Sequence, residues 1–284
     1  MLAQMSRKGF RWLAVLALLA VLAGSSASGA GVKIYIVTDL EGASGVYKFT
    51  QTREMQSPHG QEAMAYLMGD IASVVRGLRD AGATDILVVD GHDGGNNFIP
   101  HLMEPGAKYV TGTPRPLSYG LDESVQGVVM VGYHAMMGTS DGVLHHTQSS
   151  KSENRYWYNG VESGEIAQEA LLAGHYNVPP IMVTGDEAVC REAKKFFGDS
   201  CVTVAVKRGI SREAAVLYPF TETRQALYEG AKQAVAAIPK CKPYKITLPI
   251  KGKLQFLTFG EPGAKPKLVT KEREMPTALD ILNF

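Results

Sequence analysis

The sequence of 284 residues has almost no net charge and few cysteines, and each shortage excludes a class of protein. Its 29 basic and 28 acidic side chains leave a formal net charge of +1. Nucleic acids and anionic membrane surfaces attract proteins with an excess of basic side chains, which this chain lacks. We therefore expect no nucleic-acid partner.

The three cysteines, Cys190, Cys201 and Cys241, lack the C-x-x-C spacing of a structural zinc site. An odd number leaves at least one thiol unpaired within the chain. Cys190 and Cys201 are close enough in sequence to join a helix to the strand that follows it. Because connectivity cannot be read from sequence, this disulfide and three free thiols both stay open.

Long apolar runs are absent except at the N-terminus. Basic residues at positions 7, 8 and 11 precede an unbroken apolar run over 12–23, and small residues follow up to Ala30. This pattern predicts a signal peptide over residues 1–30, and a periplasmic or secreted protein with no stable membrane association after cleavage. An uncleaved anchor is the alternative, although a membrane span needs roughly 20 apolar residues.

After residue 30, short apolar strands alternate with segments of helical periodicity. The strands are expected at 32–37, 86–89, 128–131, 181–183 and 202–206, and helices near 63–78, 165–175, 187–197 and 221–238. Such alternation predicts a three-layer α/β domain with a mainly parallel sheet over residues 31–239. Two further strands, 244–250 and 253–259 across a turn at Lys251 and Gly252, predict a smaller C-terminal α+β extension over residues 240–284.

Side chains able to bind a metal ion follow three of the predicted strands. Asp39 and Glu41 come after the first strand, Asp90 and His92 after the second, and His134 after the third. Ligands of open α/β sheets bind beyond the carboxyl ends of the strands, so we expect these side chains to converge. Carboxylates mixed with imidazoles suit zinc, with manganese or another divalent ion as the alternative. Taken singly, each residue also has a purely structural interpretation, such as an aspartate in a turn.

Five motifs resemble, in order and nearly in spacing, those of the D-aminopeptidases of the DppA type, a family of zinc peptidases. They are 38–45 (TDLEGASG), 90–97 (DGHDGGNN), 132–135 (GYHA), 142–147 (GVLHHT) and 159–165 (NGVESGE). The resemblance extends from residue 32 to about residue 219. It implies a hydrolase that removes N-terminal D-amino acids from short peptides, and a chain that forms a homo-oligomer.

The resemblance also implies roles for individual residues. The implied ligands of two zinc ions per chain are Asp39, Glu41, His92, His134 and Glu165, with Asp39 as the bridging ligand. His146 would stabilise the oxyanion or carry the proton to the leaving amine, and His145 takes its place if the alignment shifts by one residue. From the residues alone, Glu165 could equally be an acid that favours the start of a helix.

Two other functions are compatible with the same ligands. A dinuclear metal phosphoesterase would need basic side chains near the metals, and Arg115 and Lys151 are the candidates. A catalytically silent peptide-binding protein would keep the ligands and have no need of His146.

Overall fold

A computed structural model describes residues 31–116, 118–261 and 263–284 of the chain. The predicted signal peptide lies outside the described residues. One large sheet contains the strands β1 (Val32–Thr38), β2 (Ala83–Asp90), β3 (Lys108–Val110), β4 (Gly127–Tyr133), β7 (Pro180–Asp186), β8 (Val202–Ser211) and β9 (Ala214–Leu217). Their order is β3-β2-β1-β4-β7-β8-β9. All neighbours are parallel except β8 and β9.

Helices cover both faces of this sheet. They are α1 (Phe49–Arg53), α2 (Pro58–Asp80), α3 (Glu165–His175), α4 (Glu187–Phe197) and α5 (Phe220–Ala237). Apolar side chains of α2 and α5 share one core cluster with one face of the sheet, and those of α3 and α4 share a second cluster with the other face. The predicted three-layer α/β fold with a mainly parallel sheet is confirmed.

The central strands are apolar because both of their faces are covered. Every residue of β4 and of β7 is buried. Parallel strands covered on two sides read as continuous apolar runs, in contrast to the alternating pattern of half-exposed strands. The runs at 128–131 and 181–183 therefore locate these strands correctly.

Residues that favour a helix boundary lie at both ends of helix α2. Ser57 precedes it, and the Ser57 hydroxyl accepts a hydrogen bond from the amide of Gly60 at 3.1 Å. Pro58 occupies the first turn, where no intrahelical amide is required. After Ala81, Gly82 has φ +99°, a conformation that favours glycine and ends the helix.

A second, antiparallel sheet contains the remaining strands, β5 (Arg155–Tyr158), β6 (Val161–Ser163), β10 (Ile250–Thr258) and β11 (Lys267–Met275). Their order is β11-β10-β5-β6. The C-terminal segment supplies β10 and β11, whereas β5 and β6 come from the middle of the chain. This small sheet is therefore built from segments on both sides of residue 239.

The predicted turn at Lys251 and Gly252 is wrong, since both residues lie inside β10. A Cβ atom on Gly252 would lie 2.5 Å from the Cε of Met275 and 2.9 Å from the Cε1 of Phe284. The glycine thus marks a close approach of side chains to a strand, which sequence alone does not distinguish from a turn.

All three cysteines are free thiols, so the disulfide between Cys190 and Cys201 is not formed. Cys201 is buried, and burial raises the pKa of its thiol to about 12. A thiol with so high a pKa is unreactive at neutral pH, because the thiolate is the nucleophile.

Within the described part of the chain, no helix combines the length and the apolar sequence that are needed to cross a membrane.

Candidate metal centre

All six side chains predicted from the sequence meet at the carboxyl edge of the large sheet. Strand β1 lies between β2 and β4, so the loops that follow these three strands emerge side by side. They carry four of the six, Asp39, Glu41, His92 and His134. Glu165 is the first residue of α3, and His146 comes from the loop between β4 and β5.

The loop that carries Asp39 and Glu41 is fastened to the end of β4. The amide of Asp39 donates to the carbonyl of Val131 at 2.8 Å, and the amide of Gly42 donates to that of Gly132 at 2.7 Å. Gly132 has φ +78°, and a Cβ there would lie 2.3 Å from the carbonyl oxygen of Asp39. Only glycine permits this approach, which brings the carboxylates of the loop next to His134.

Lys207 also anchors this loop, and it was not predicted from the sequence. This lysine of β8 is fully buried, and its Nζ donates to the backbone carbonyls of Glu41 at 2.6 Å and Ala43 at 2.9 Å. It also donates to the carbonyl of Val46. A lysine that directly follows the predicted strand 202–206 was the available signal, because a buried ammonium group requires acceptors.

His92 is oriented by a backbone carbonyl. Its Nε2 lies 2.9 Å from the carbonyl oxygen of Thr52, which can only accept, so Nε2 carries the proton. Its Nδ1 lies 3.0 Å from Asp39 Oδ1 and 3.0 Å from Glu41 Oε2. An outer partner that sets the tautomer in this way is typical of a metal-binding histidine.

Asp90 has a different role from the other strand-end carboxylates. It accepts hydrogen bonds at 2.8 Å from both the backbone amide and the side-chain amide of Asn97. The same side-chain amide donates to the carbonyl of His92 at 2.7 Å. Asp90 therefore shapes the loop that presents His92.

His134 and Glu165 form the other half of the site. The Nδ1 of His134 lies 3.0 Å from the carbonyl of Ala135, and its Nε2 lies 3.3 Å from Asp39 Oδ2 and 3.4 Å from Glu165 Oε1. Glu165 also accepts from the amide of Gln148 at 2.6 Å. Starting a helix and joining the ligand group are thus compatible for Glu165.

The structure brings His146, and not its neighbour, into the site. The ring of His146 stacks on that of His134 with centroids 3.9 Å apart, and its Nε2 is 3.9 Å from Glu165 Oε1. Its Nδ1 lies 2.8 Å from the carbonyl of Leu144. His145 instead accepts a hydrogen bond from the amide of Gly138 at 3.1 Å through its Nδ1.

The arrangement of these side chains is suited to binding a metal ion. Three of their buried atoms have no hydrogen-bond partner, namely Asp39 Oδ2, Glu41 Oε2 and His134 Nε2. Two ligand groups are close enough to share an ion, Asp39 with Glu41 and His134, and His134 with His146 and Glu165. Since the unpaired His134 nitrogen lies 3.3 Å from Asp39 Oδ2 and 3.4 Å from Glu165 Oε1, a metal ion fits between these ligand atoms.

The pKa values of the side chains describe the same concentration of charge. Burial and the nearby Glu41 raise the pKa of Asp39 to about 7. Burial opposes the charge of Glu165, but His134 outweighs it and lowers the pKa of Glu165 to about 2. Burial, assisted by His134, lowers the pKa of His146 to about 4. Several buried groups with shifted pKa values thus lie together, as is typical of a functional site.

A cavity of about 520 Å³ opens beside the metal centre. Such a volume suits a small ligand. Arg115 and Lys151, the basic residues considered for phosphate binding, both line it. Arg53 and Glu169 also line it and were missed, because each lies on a helix with no motif to mark it. Arg53 stacks over the ring of Phe49 at 3.7 Å.

Comparisons with known proteins agree with this geometry. The sequence model of a family described as D-aminopeptidase matches residues 32–265. The chain is 30% identical over 235 residues to the D-aminopeptidase of Bacillus subtilis (strain 168), covering 81% of this chain and 83% of that relative.

A solved structure is also similar, that of the Zn-dependent D-aminopeptidase DppA from Bacillus subtilis, described as a self-compartmentalizing protease. The TM-score is 0.81 at 26% identity, over 89% of this chain and 94% of that one. Neither a phosphoesterase nor a silent binding protein is favoured by these similarities.

Proposed function

This chain belongs to the D-aminopeptidase family, and on that premise we propose that it removes D-amino acids from the N-termini of short peptides with two zinc ions per chain. It is a metallo-aminopeptidase, a hydrolase that acts on peptide bonds. The proposal adds to this class the number of metal ions, the residues that bind them and the stereochemistry of the substrate.

The orientation of Asp39 is the observation that supports two ions most directly. Its Oδ1 is 3.0 Å from His92, whereas its Oδ2 is 3.3 Å from His134. Each oxygen therefore faces a different histidine, and each histidine has its own second carboxylate, Glu41 or Glu165. A carboxylate that faces two ligand groups is suited to bridge two ions.

The residues divide the chemistry between binding and proton transfer. When bound, zinc supplies Lewis-acid activation of water and of the scissile carbonyl at neutral pH. His146 presents Nε2 to the site because its Nδ1 donates to the carbonyl of Leu144. In our proposal this nitrogen takes a proton from the attacking water and passes it to the leaving amine.

The test combines metal analysis with a choice of substrates. Protein reconstituted with zinc should contain about two ions per chain, and D-alanyl dipeptides should be hydrolysed faster than their L-alanyl counterparts. D-Alanyl p-nitroanilide should be a substrate, and p-nitrophenyl phosphate should not. An absence of bound divalent metal, or faster turnover of the L-alanyl peptide, would overturn the proposal.

We also propose that the chain forms a homo-oligomer, supported by the self-compartmentalizing description of the similar protease. Light scattering on purified protein should give a mass that is a multiple of the chain mass. A monomer at micromolar concentration would contradict this proposal and leave the chemistry of the site unaffected.

A further inference from the structure

Glu169 lies one helical turn after Glu165 on α3 and lines the same cavity. Residues four apart lie on one face of a helix, with Cβ atoms about 5–6 Å apart. The Glu169 side chain is enclosed by protein except where it is partly exposed to the cavity. A carboxylate therefore opens into the cavity about one helical turn from a metal ligand.

This carboxylate has no partner of its own. Among the described residues, none donates a hydrogen bond to Glu169 or forms an ion pair with it. In contrast, both polar atoms of the neighbouring Gln168 side chain form hydrogen bonds. Its nitrogen donates to the Tyr158 hydroxyl at 2.8 Å, and its oxygen accepts from Gln148 at 2.8 Å. Buried carboxylates normally have a cation or hydrogen-bond donors, so the cavity side of Glu169 is where a partner fits.

The surrounding charges favour a cationic partner. Burial, together with the carboxylates of Glu165 and Asp39, raises the pKa of Glu169 to about 7, while Arg115 opposes them. Arg115 lines the same cavity and donates to the carbonyl of Asp90, and among the described residues it forms no hydrogen bond or ion pair with Glu169. A cation brought by a ligand would therefore meet a carboxyl group that has no cationic partner.

We propose that Glu169 binds the α-ammonium group of the peptide substrate, an inference that rests on the proposed aminopeptidase function. The α-nitrogen is two bonds from the scissile carbonyl carbon, so the group that binds it must lie next to the metal ligands. Glu169 meets this condition and selects peptides with a free N-terminus. Val37, Val89 and Tyr133 line the same cavity and offer apolar surface to the first side chain of the substrate.

The experiment compares two zinc-chelating inhibitors that differ only in the α-amino group, D-alanine hydroxamate and propanohydroxamate. Their dissociation constants are measured by calorimetry on zinc-loaded wild type and Glu169→Gln. Wild type should prefer the amine-bearing compound by about 10- to 100-fold, the range of a hydrogen bond to a charged group. In Glu169→Gln this ratio should fall to about 1, with zinc content unchanged, and Glu169→Asp should restore part of it.

Glu192→Gln is the matched control. Glu192 is also a buried carboxyl whose pKa burial raises to about 7, but it accepts from the amide of Met136 at 2.8 Å and does not line the cavity. The ratio of the two dissociation constants in Glu192→Gln should equal that of wild type. An unchanged ratio in Glu169→Gln, or loss of zinc from it, would overturn the inference. Hydrolysis of D-alanyl peptides by wild type is measured separately, so failure of the proposed function would be recognised independently.

Discussion

His146 is the side chain on which the proposed proton transfer depends. It contacts one half of the ligand group, stacking on His134 and approaching Glu165. Its ring is held at Nδ1 by a backbone carbonyl, as is that of His134. The position of His146 is therefore compatible with proton transfer and with metal binding, and mutation distinguishes these two roles.

His146→Ala should bind zinc normally and lose about 10²–10⁴ in both kcat and kcat/KM, as expected on removal of a general acid–base group. His145→Ala should be mild, since His145 bonds to the amide of Gly138 and does not line the cavity. Steady-state kinetics and elemental analysis on both variants provide the comparison. Loss of zinc from His146→Ala would identify His146 as a sixth metal ligand. An inactive His145→Ala would instead assign the proton transfer to His145.

Asp39 differs from the other ligands because each of its oxygens faces a different histidine. Asp39→Ala should therefore reduce zinc content more than any other single ligand substitution, because one change affects both ions. Metal content after dialysis is compared with that of Glu165→Ala. Full zinc retention in Asp39→Ala alongside loss in Glu165→Ala would contradict the bridging role.

At the scale of elements, the metal-binding loop depends on contacts with β8 and α2 as well as with β4. Lys207 of β8 bonds to three of its carbonyls. Asp70 of α2 accepts from the amide of Ser44 at 2.8 Å. Two elements distant in sequence thus position the loop that carries Asp39 and Glu41.

Lys207→Met should destabilise the protein by about 3–5 kcal/mol, because it leaves buried carbonyls without a donor. Zinc affinity should fall as well, since the loop loses its support. Urea unfolding and zinc titration measure the two effects. Lys195→Met, the same change at an exposed lysine of α4, should alter neither. Wild-type stability in Lys207→Met would show that the loop does not depend on this lysine.

Asp70 should make stability depend on pH. Burial raises its pKa from 3.8 to about 6, so the folded state binds this proton more tightly than the unfolded state does. Its contribution is therefore complete below about pH 4 and is lost as the pH rises towards 6.

Between about pH 3 and 7, wild type should lose about 3 kcal/mol of stability relative to Asp70→Asn, which does not titrate. Stability is measured by urea unfolding in the presence of a chelator, so that the pH dependence of metal binding contributes to neither protein. Parallel stability curves for the two would mean that Asp70 has an ordinary pKa in the folded protein.

At the scale of the whole molecule, the proposed location depends on residues 1–30. Their basic, apolar and small-residue segments follow the order of a signal peptide. A periplasmic or extracellular location would give the proposed enzyme access to peptides released from a bacterial wall.

The mature protein should begin between Ser28 and Gly31, where small residues follow the apolar run. N-terminal sequencing of protein recovered from the exported fraction measures this directly. Recovery of chains that still begin with Met1 would instead indicate an uncleaved anchor.

Much of the fold and four of the proposed metal ligands could be predicted from the sequence because their signals are local. Helical periodicity and continuous apolar runs identify α3, α4 and the central parallel strands. The rule that ligands bind beyond the carboxyl ends of parallel strands selects Asp39, Glu41, His92 and His134, together with Asp90, which shapes a loop instead. Glu165 and His146 needed the resemblance to a family, since a helix start and a loop offer no comparable signal.

Tertiary structure decided what depends on packing between distant segments. Lys207 and Glu41 are 166 residues apart, and no local pattern predicts their contact. Gly252 was read as a turn because a glycine near a strand has the same local signature whether it bends the chain or admits a neighbouring side chain. Asp90 and Asp39 both lie at the end of a strand, and only their surroundings distinguish them. Asp90 shapes a loop, whereas Asp39 faces two histidines. Side-chain partners are set by three-dimensional packing, whereas periodicity along the chain determines only which face of an element is buried.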